Sequence, residues 1–177
     1  MPRLRDLGVT PGFLPAGPHN AITDVPGVKV GHTTMIEGDT IRTGATAILP
    51  HGGNLYTEKV AAAVYTFNGY GKANGFEQIR EMGNIETPVL LTNTLNVGRV
   101  LDALVGYMLR DNPGIGGRDG TVNPIVGECN DGYLSDIRGR HVGPEQVLHA
   151  IETAAAGPVP EGNVGAGAGT SCYQFKG

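Results

Sequence analysis

The chain has 177 residues, 40% of them hydrophobic and 17% charged, with a formal net charge of −4. That length supports one substantial core rather than two, and the balance of residue types belongs to a globular chain rather than a disordered one. The acidic excess, with four lysines and nine scattered arginines, argues against a nucleic-acid surface, and no apolar run approaches the ~20 residues that cross a bilayer.

In chain order, residues 8–22 are rich in Pro and Gly and predict an extended lead-in. The first twenty residues lack the apolar core of a signal peptide, so the expected location is the cytoplasm. Residues 28–34 alternate apolar and polar side chains after the Asp24-Val-Pro-Gly27 turn, which predicts a strand. Residues 43–49 predict a second strand, ended by Pro50 and the pair Gly52-Gly53. Residues 60–67 are tipped towards strand by the β-branched and aromatic residues at their end. Residues 75–82 predict a short helix closed by Gly83, and residues 88–92 a compact buried strand.

Over residues 96–110, Val97, Val100, Leu101, Leu104, Val105 and Met108 recur at helical spacing, with Asn96 as the expected cap. Residues 110–122 carry four glycines and predict a loop. Residues 144–156 predict a helix with Pro144 in its first turn and Gly157-Pro158 as its stop. With no internal repeat and no domain boundary, residues 1–177 are expected to form one α/β domain. The 29 glycines are spread along the chain and mark many tight turns.

Several chemistries find no support. The five histidines show no i,i+4 pairing and none lies beside a cysteine or clustered carboxylates, so no metal site is expected. There is no P-loop, and Gly162-Asn-Val-Gly-Ala-Gly-Ala-Gly-Thr170 places Thr170 where a dinucleotide loop needs its third glycine, so no nucleotide cofactor is expected. Cys129 and Cys172 read as free thiols. Ser135 lies beside Asp136 without a nucleophile elbow, and a carboxylate next to Cys129 raises a thiol pKa rather than lowering it. No convincing nucleophile is present.

Chemical groups concentrate in Pro124-Ile-Val-Gly-Glu-Cys-Asn-Asp-Gly-Tyr-Leu-Ser-Asp-Ile-Arg138. A short apolar run delivers Glu128, Asp131 and Tyr133 into an Asn-Asp-Gly turn, the kind of strand end that presents side chains to a ligand. The same pattern is also an ordinary solvent-facing turn.

Asn20-Ala-Ile-Thr-Asp-Val-Pro-Gly-Val-Lys-Val-Gly-His32 and Arg42-Thr-Gly-Ala-Thr-Ala-Ile-Leu-Pro50 resemble the opening of the L-aminopeptidase/D-amino-acid esterase-amidase family, which includes the β-peptidyl aminopeptidases. Three later segments are similar to it in the same order: Leu91-Thr-Asn-Thr94 with Val97-Gly98; Gly127 to Asp136; and Glu161 to Gly169 with Phe175-Lys-Gly177.

The resemblance implies an α/β/β/α sandwich reminiscent of N-terminal-nucleophile hydrolases, in which a precursor cleaves itself and the new N-terminal serine of the second, β chain attacks the substrate. A free α-amino group, with a pKa near ~8, serves there as base for the adjacent hydroxyl. The activity implied is release of N-terminal residues from short peptides, amides or esters without metal or cofactor. The match is to the earlier, α-chain part, so the partner expected is a β chain carrying the serine, together with a later serine, a glutamate and an oxyanion-hole asparagine. The αβ units are expected to form homo-oligomers.

By the same likeness Tyr133 is an oxyanion-hole donor. Glu128 holds the substrate's free amino group, Asp131 is a second candidate for that pocket, and Asn93 and Asn163 line the cleft or serve buried backbone. The alternative is a non-catalytic α/β binding module that keeps the amine pocket but lacks the nucleophile.

Overall fold

The computed structural model describes residues 2–172, so the Phe175-Lys-Gly177 motif lies outside the described residues. In chain order the elements are β1 (Lys29–Glu37), β2 (Ile41–Leu49), β3 (Val60–Ala61), β4 (Ala73–Asn74), α1 (Phe76–Met82), β5 (Asn84–Ile85), β6 (Val89–Thr92), α2 (Val97–Asp111), β7 (Ile125–Glu128) and α3 (Pro144–Glu152). Five strands form a mixed sheet in the order β1-β2-β6-β7-β4, while β3 and β5 make a separate two-stranded pair. The fold is mixed α/β. Among the described residues no helix is long and apolar enough to cross a membrane.

β1 and β2 are an antiparallel hairpin in register from Lys29↔Leu49 to Glu37↔Ile41. β6 and β7 run parallel, a pairing that needs a crossover, and α2 is that crossover. Ala45, Ala47, Leu90 and Val126 face α2 and α3, where they are buried against Val100, Leu104, Met108, Val147, Ala150 and Ile151. Each large side chain in this layer contributes about 1.5–3 kcal/mol of burial. Gly31 is required here because a Cβ at that position would run into the Ala150 carbonyl and Ala154 of the α3 end. The neighbours of Leu90 and Val126 point to the opposite side, where Val89 and Ile125 join Ile79 and Ile85 in a second cluster.

Three expectations are corrected. Of residues 60–67 only Val60–Ala61 is strand, because its antiparallel partner β5 supplies just Ile85 and Asn84, directly after α1 and its Gly83 cap. β propensity without a pairing edge does not make a strand. Asn96 does not cap α2 with its side chain; Asn93 Oδ1 instead accepts from the Asn96 N–H at 3.0 Å, closing the turn that precedes the helix. α3 ends at Glu152, short of residue 156, since Ala155 is drawn into a bridge that exchanges both backbone bonds with Val30.

The glycine-rich run before the C-terminal end folds as a single 3₁₀ turn, Gly165–Gly167, laid on the side of β2 away from the helices. Gly165 N donates to Thr34 Oγ1 at 2.8 Å and Ala166 N to Thr46 Oγ1 at 3.0 Å. Gly165 has φ +55°, and a Cβ there would collide with Thr46 Oγ1 and His32 Nδ1.

Candidate functional site

The carboxyl ends of the parallel strands are where α/β sheets bind ligands, and β6 and β7 deliver their chemistry there side by side. Thr92 pairs with Glu128, and Cys129 N donates to Thr92 O at 2.7 Å just beyond the strand ends. From the β6 side, Asn93 is 1% exposed. Its Nδ2 donates to Thr43 Oγ1 at 3.0 Å while its Oδ1 holds the Asn96 N–H, so it joins β2 to the start of α2.

From the β7 side come the two carboxylates. Glu128 Oε1 accepts the Lys72 backbone N–H at 2.8 Å, whereas Glu128 Oε2 is buried without a partner. Asp131 is 1% exposed, and among the described residues neither of its carboxylate oxygens has a partner of full hydrogen-bond geometry, although the Thr43 hydroxyl and the Asn93 amide stand close enough to favour its charged form. The Asp131 carbonyl accepts from Leu134 N and Ser135 N at 3.1 and 2.9 Å. That turn places Tyr133 on its outer side, 75% exposed.

Glu128, Asp131 and Asn93 therefore belong to one neighbourhood, and Tyr133 stands at its solvent-facing edge rather than inside the buried group. Asn163 is elsewhere: it is exposed, its Oδ1 holds the Gly169 N–H at 3.1 Å, and it shares a surface cavity with Asp39, Arg42 and Leu134.

Buried polar atoms in folded proteins are almost always paired, because leaving one bare costs about 1–3 kcal/mol, and more when it is charged. Among the described residues eight buried side-chain N and O atoms lack a partner, and six of them sit just after β6 or at the end of β7. They are Thr94 Oγ1, both amide atoms of Asn96, Glu128 Oε2 and both oxygens of Asp131. Thr94 and Asn96 are additions that the pattern of residue types did not single out. The one signal available was the density of small polar residues, Thr92, Asn93, Thr94 and Asn96, directly behind a buried strand.

Burial pushes the Asp131 carboxyl above its ordinary range. The Thr43 hydroxyl, the Asn93 amide and His141 pull the other way without overcoming it. Burial also raises the Cys129 thiol, reinforced by Glu128 and Asp131, which makes Cys129 a poor nucleophile. Ser135 is committed as well: its Oγ accepts the Arg42 N–H at 3.0 Å. Asp136 N donates to Thr40 O at 2.7 Å, so the turn is stitched to the β1–β2 connection. The histidines are not all isolated from carboxylates, for His141 Nε2 lies 3.2 Å from Asp136 Oδ2. The sequence spacing of five hid this pair, which forms because the intervening residues fold into a tight 3₁₀ turn, Ile137–Gly139.

The arrangement offers acceptors to a group rich in N–H donors, held at the ends of two parallel strands. The pattern of peptidase family S58 matches residues 20–177. The β-peptidyl aminopeptidase BapA of Sphingosinicella microcystinivorans is 45% identical over 185 aligned residues, covering 99% of this chain and 45% of that protein.

Among solved structures, a β-aminopeptidase of a Burkholderia species superposes with a TM-score of 0.85 at 46% identity, over 93% of this chain and 46% of that one. The L-aminopeptidase D-Ala-esterase/amidase of Ochrobactrum anthropi superposes with a TM-score of 0.87 at 39% identity, over 100% of this chain and 51% of that one. The latter is described as a prototype for the serine aminopeptidases and as a variant of the Ntn-hydrolase fold. The chain thus spans about half the length of the relatives it matches. With its own sheet superposing on theirs and the family pattern running from residue 20 onward, the chain belongs to peptidase family S58.

Proposed function

We propose that this chain is the substrate-gripping part of a serine aminopeptidase, amidase or esterase that releases N-terminal residues from short peptides, amides or esters. The observation that carries this reading is the set of three unpartnered carboxylate oxygens on Glu128 and Asp131. An ammonium has three N–H donors and no acceptor, so a substrate's free amino group satisfies those oxygens and offsets the cost of burying them.

In this reading the attacking hydroxyl is the N-terminal serine of a second chain, whose α-amino group takes the hydroxyl proton. Attack on the carbonyl carbon next to the gripped amine gives a tetrahedral intermediate, and the Tyr133 hydroxyl donates to its oxyanion. Collapse expels the rest of the peptide as an amine, or an alcohol from an ester, and water then frees the acylated residue from the serine. Asn93 acts as a positioning residue that ties β2 to the α2 start beneath the carboxylates. The two chains work as αβ units assembled into a homo-oligomer in the cytoplasm.

The decisive variant is Glu128→Gln in the protein that carries the second chain. It should raise KM for a free-amine substrate such as alanine p-nitroanilide about 10- to 100-fold, the worth of a charge-assisted bond. Intact mass of the wild-type material should show two polypeptides. A single polypeptide without aminopeptidase activity, or a Glu128→Gln variant with unchanged KM, overturns the proposal.

A further inference from the structure

The segment between β3 and β4 is unusual for a surface loop. Three of the chain's ten aromatic residues, Tyr65, Phe67 and Tyr70, lie within six positions of it, exposed by 85%, 58% and 82%. The loop is nevertheless tied down along its length. Ala62 and Val64 pack into the Ile79 cluster, and Arg80 Nη2 donates to Thr66 Oγ1. Asn68 Oδ1 accepts from Tyr70 N at 3.0 Å and from Gly71 N at 3.4 Å. Two residues on, β4 pairs with Val126 and Gly127 of β7. Aromatic faces held in water by an ordered backbone mark a contact site rather than a loose strand of chain.

The location of the loop identifies what it contacts. Lys72 N donates to Glu128 Oε1 at 2.8 Å, and a Cβ on Gly71 would stand 3.6 Å from the same oxygen. The Lys72 ammonium folds back over the Tyr70 ring, 4.1 Å from its centroid, and donates to Tyr70 O at 2.8 Å. Tyr70 is thus two residues, about 7 Å of chain, from the backbone group that fixes Glu128. One face of its ring is covered by the Lys72 ammonium.

We infer that residues 66–72 form the specificity element of the amine site: the Lys72 N–H orients Glu128, and the Tyr70 ring is the wall against which the apolar or aromatic side chain of the substrate's N-terminal residue packs. This rests on the proposed role of Glu128 as the amine holder. A side chain branching one carbon away from an ammonium reaches several ångströms beyond it, and the Lys72 N–H on Glu128 limits how far along the chain the Tyr70 backbone can lie from that carboxylate. Burying a phenyl group against such a wall makes an aromatic ligand bind about ten-fold tighter than its side-chain-free counterpart.

The test uses two amino alcohols that carry the ammonium but no scissile bond, phenylalaninol and ethanolamine, titrated calorimetrically into the two-chain protein. Wild type should prefer phenylalaninol about ten-fold. Tyr70→Ala should bring that ratio close to one, and Tyr70→Phe should restore it. A wild-type ratio of one, or a ratio that survives in Tyr70→Ala, overturns the inference. So does a Tyr70→Ala variant that changes the mass of the assembly while keeping the ratio, which makes the patch a contact with a second copy. Glu128→Gln separates the two readings. It should weaken both ligands about 10- to 100-fold; if both still bind at wild-type strength with the Tyr70-dependent ratio intact, the amine-holder reading fails while the wall stands.

Discussion

Asn93 and Thr43 meet 3.0 Å apart in the interior, amide nitrogen to hydroxyl oxygen, although fifty residues of chain separate them. Thr43 is fully buried and Asn93 nearly so. The contact locks β2 to the end of β6 directly beneath the two carboxylates. Asn93→Ala removes this bond and the side-chain bond to the Asn96 N–H together, though that N–H keeps the Asn93 carbonyl as a partner at 3.0 Å. We expect a loss of about 2–3 kcal/mol in unfolding free energy, read as a lower urea midpoint at constant m value. An unchanged midpoint contradicts the fastening role.

Tyr133 predicts the opposite pattern. Its ring is three-quarters exposed, so trimming its hydroxyl should leave the denaturation midpoint within error of wild type. If the proposed two-chain enzyme uses this donor, Tyr133→Phe should lower kcat about 10²-fold with little change in KM, as loss of one oxyanion donor does. A kcat equal to wild type removes Tyr133 from the oxyanion hole.

Asp131 gives a pH dependence whose sign is fixed by burial. Burial holds its folded pKa above the ordinary carboxyl value of 3.8, so the folded state binds the proton more tightly than the unfolded chain does. The stability associated with that proton is fully present below pH 3.8 and is lost as pH rises through the raised folded pKa. Asp131→Asn abolishes that titration. The variant's melting temperature should therefore gain on wild type as pH climbs from about 3.5 to neutrality, the gap flattening once wild-type Asp131 is fully ionised. Parallel curves over that range contradict the assignment.

Gly165 tests the seating of the glycine-rich turn. Its φ of +55° disfavours any side chain, and a new Cβ meets Thr46 Oγ1, His32 Nδ1 and, at 3.1 Å, Ala45 O. Gly165→Ala should cost about 2–3 kcal/mol through strain and overpacking combined. Gly157→Ala, equally left-handed at φ +97° but with nothing within 4 Å, should cost less. Equal losses at the two positions would show that backbone strain, not the close approach to β1 and β2, governs the turn.

The elements with strong local periodicity were legible in the chain itself. The 3.6-residue spacing from Val97 to Met108 and the alternation around Val30 report which face each element buries, because that demand repeats along the segment. Residues 60–67 misled for a related reason. Their β-branched and aromatic side chains state a preference, but a strand needs a partner edge, and β5 offers one only two residues long. The aromatic residues at and beyond its end are left exposed on the loop that leads to Lys72.

At the site, the sequence by itself identified Glu128, Asp131 and Tyr133 as the chemical groups of interest, since their types and their place after a short apolar run need no partner to be seen. It also decided the family likeness, which is a property of residue order. Only the tertiary structure decided which of them are buried together. Burial and pairing depend on residues distant in sequence: Thr43 on β2, Asn93 behind β6, and Lys72 ahead of β4. Those contacts leave the oxygens of Asp131 bare, orient Glu128 and put Tyr133 at the rim. No local pattern encodes them, because they exist only once five strands have paired in the order β1-β2-β6-β7-β4.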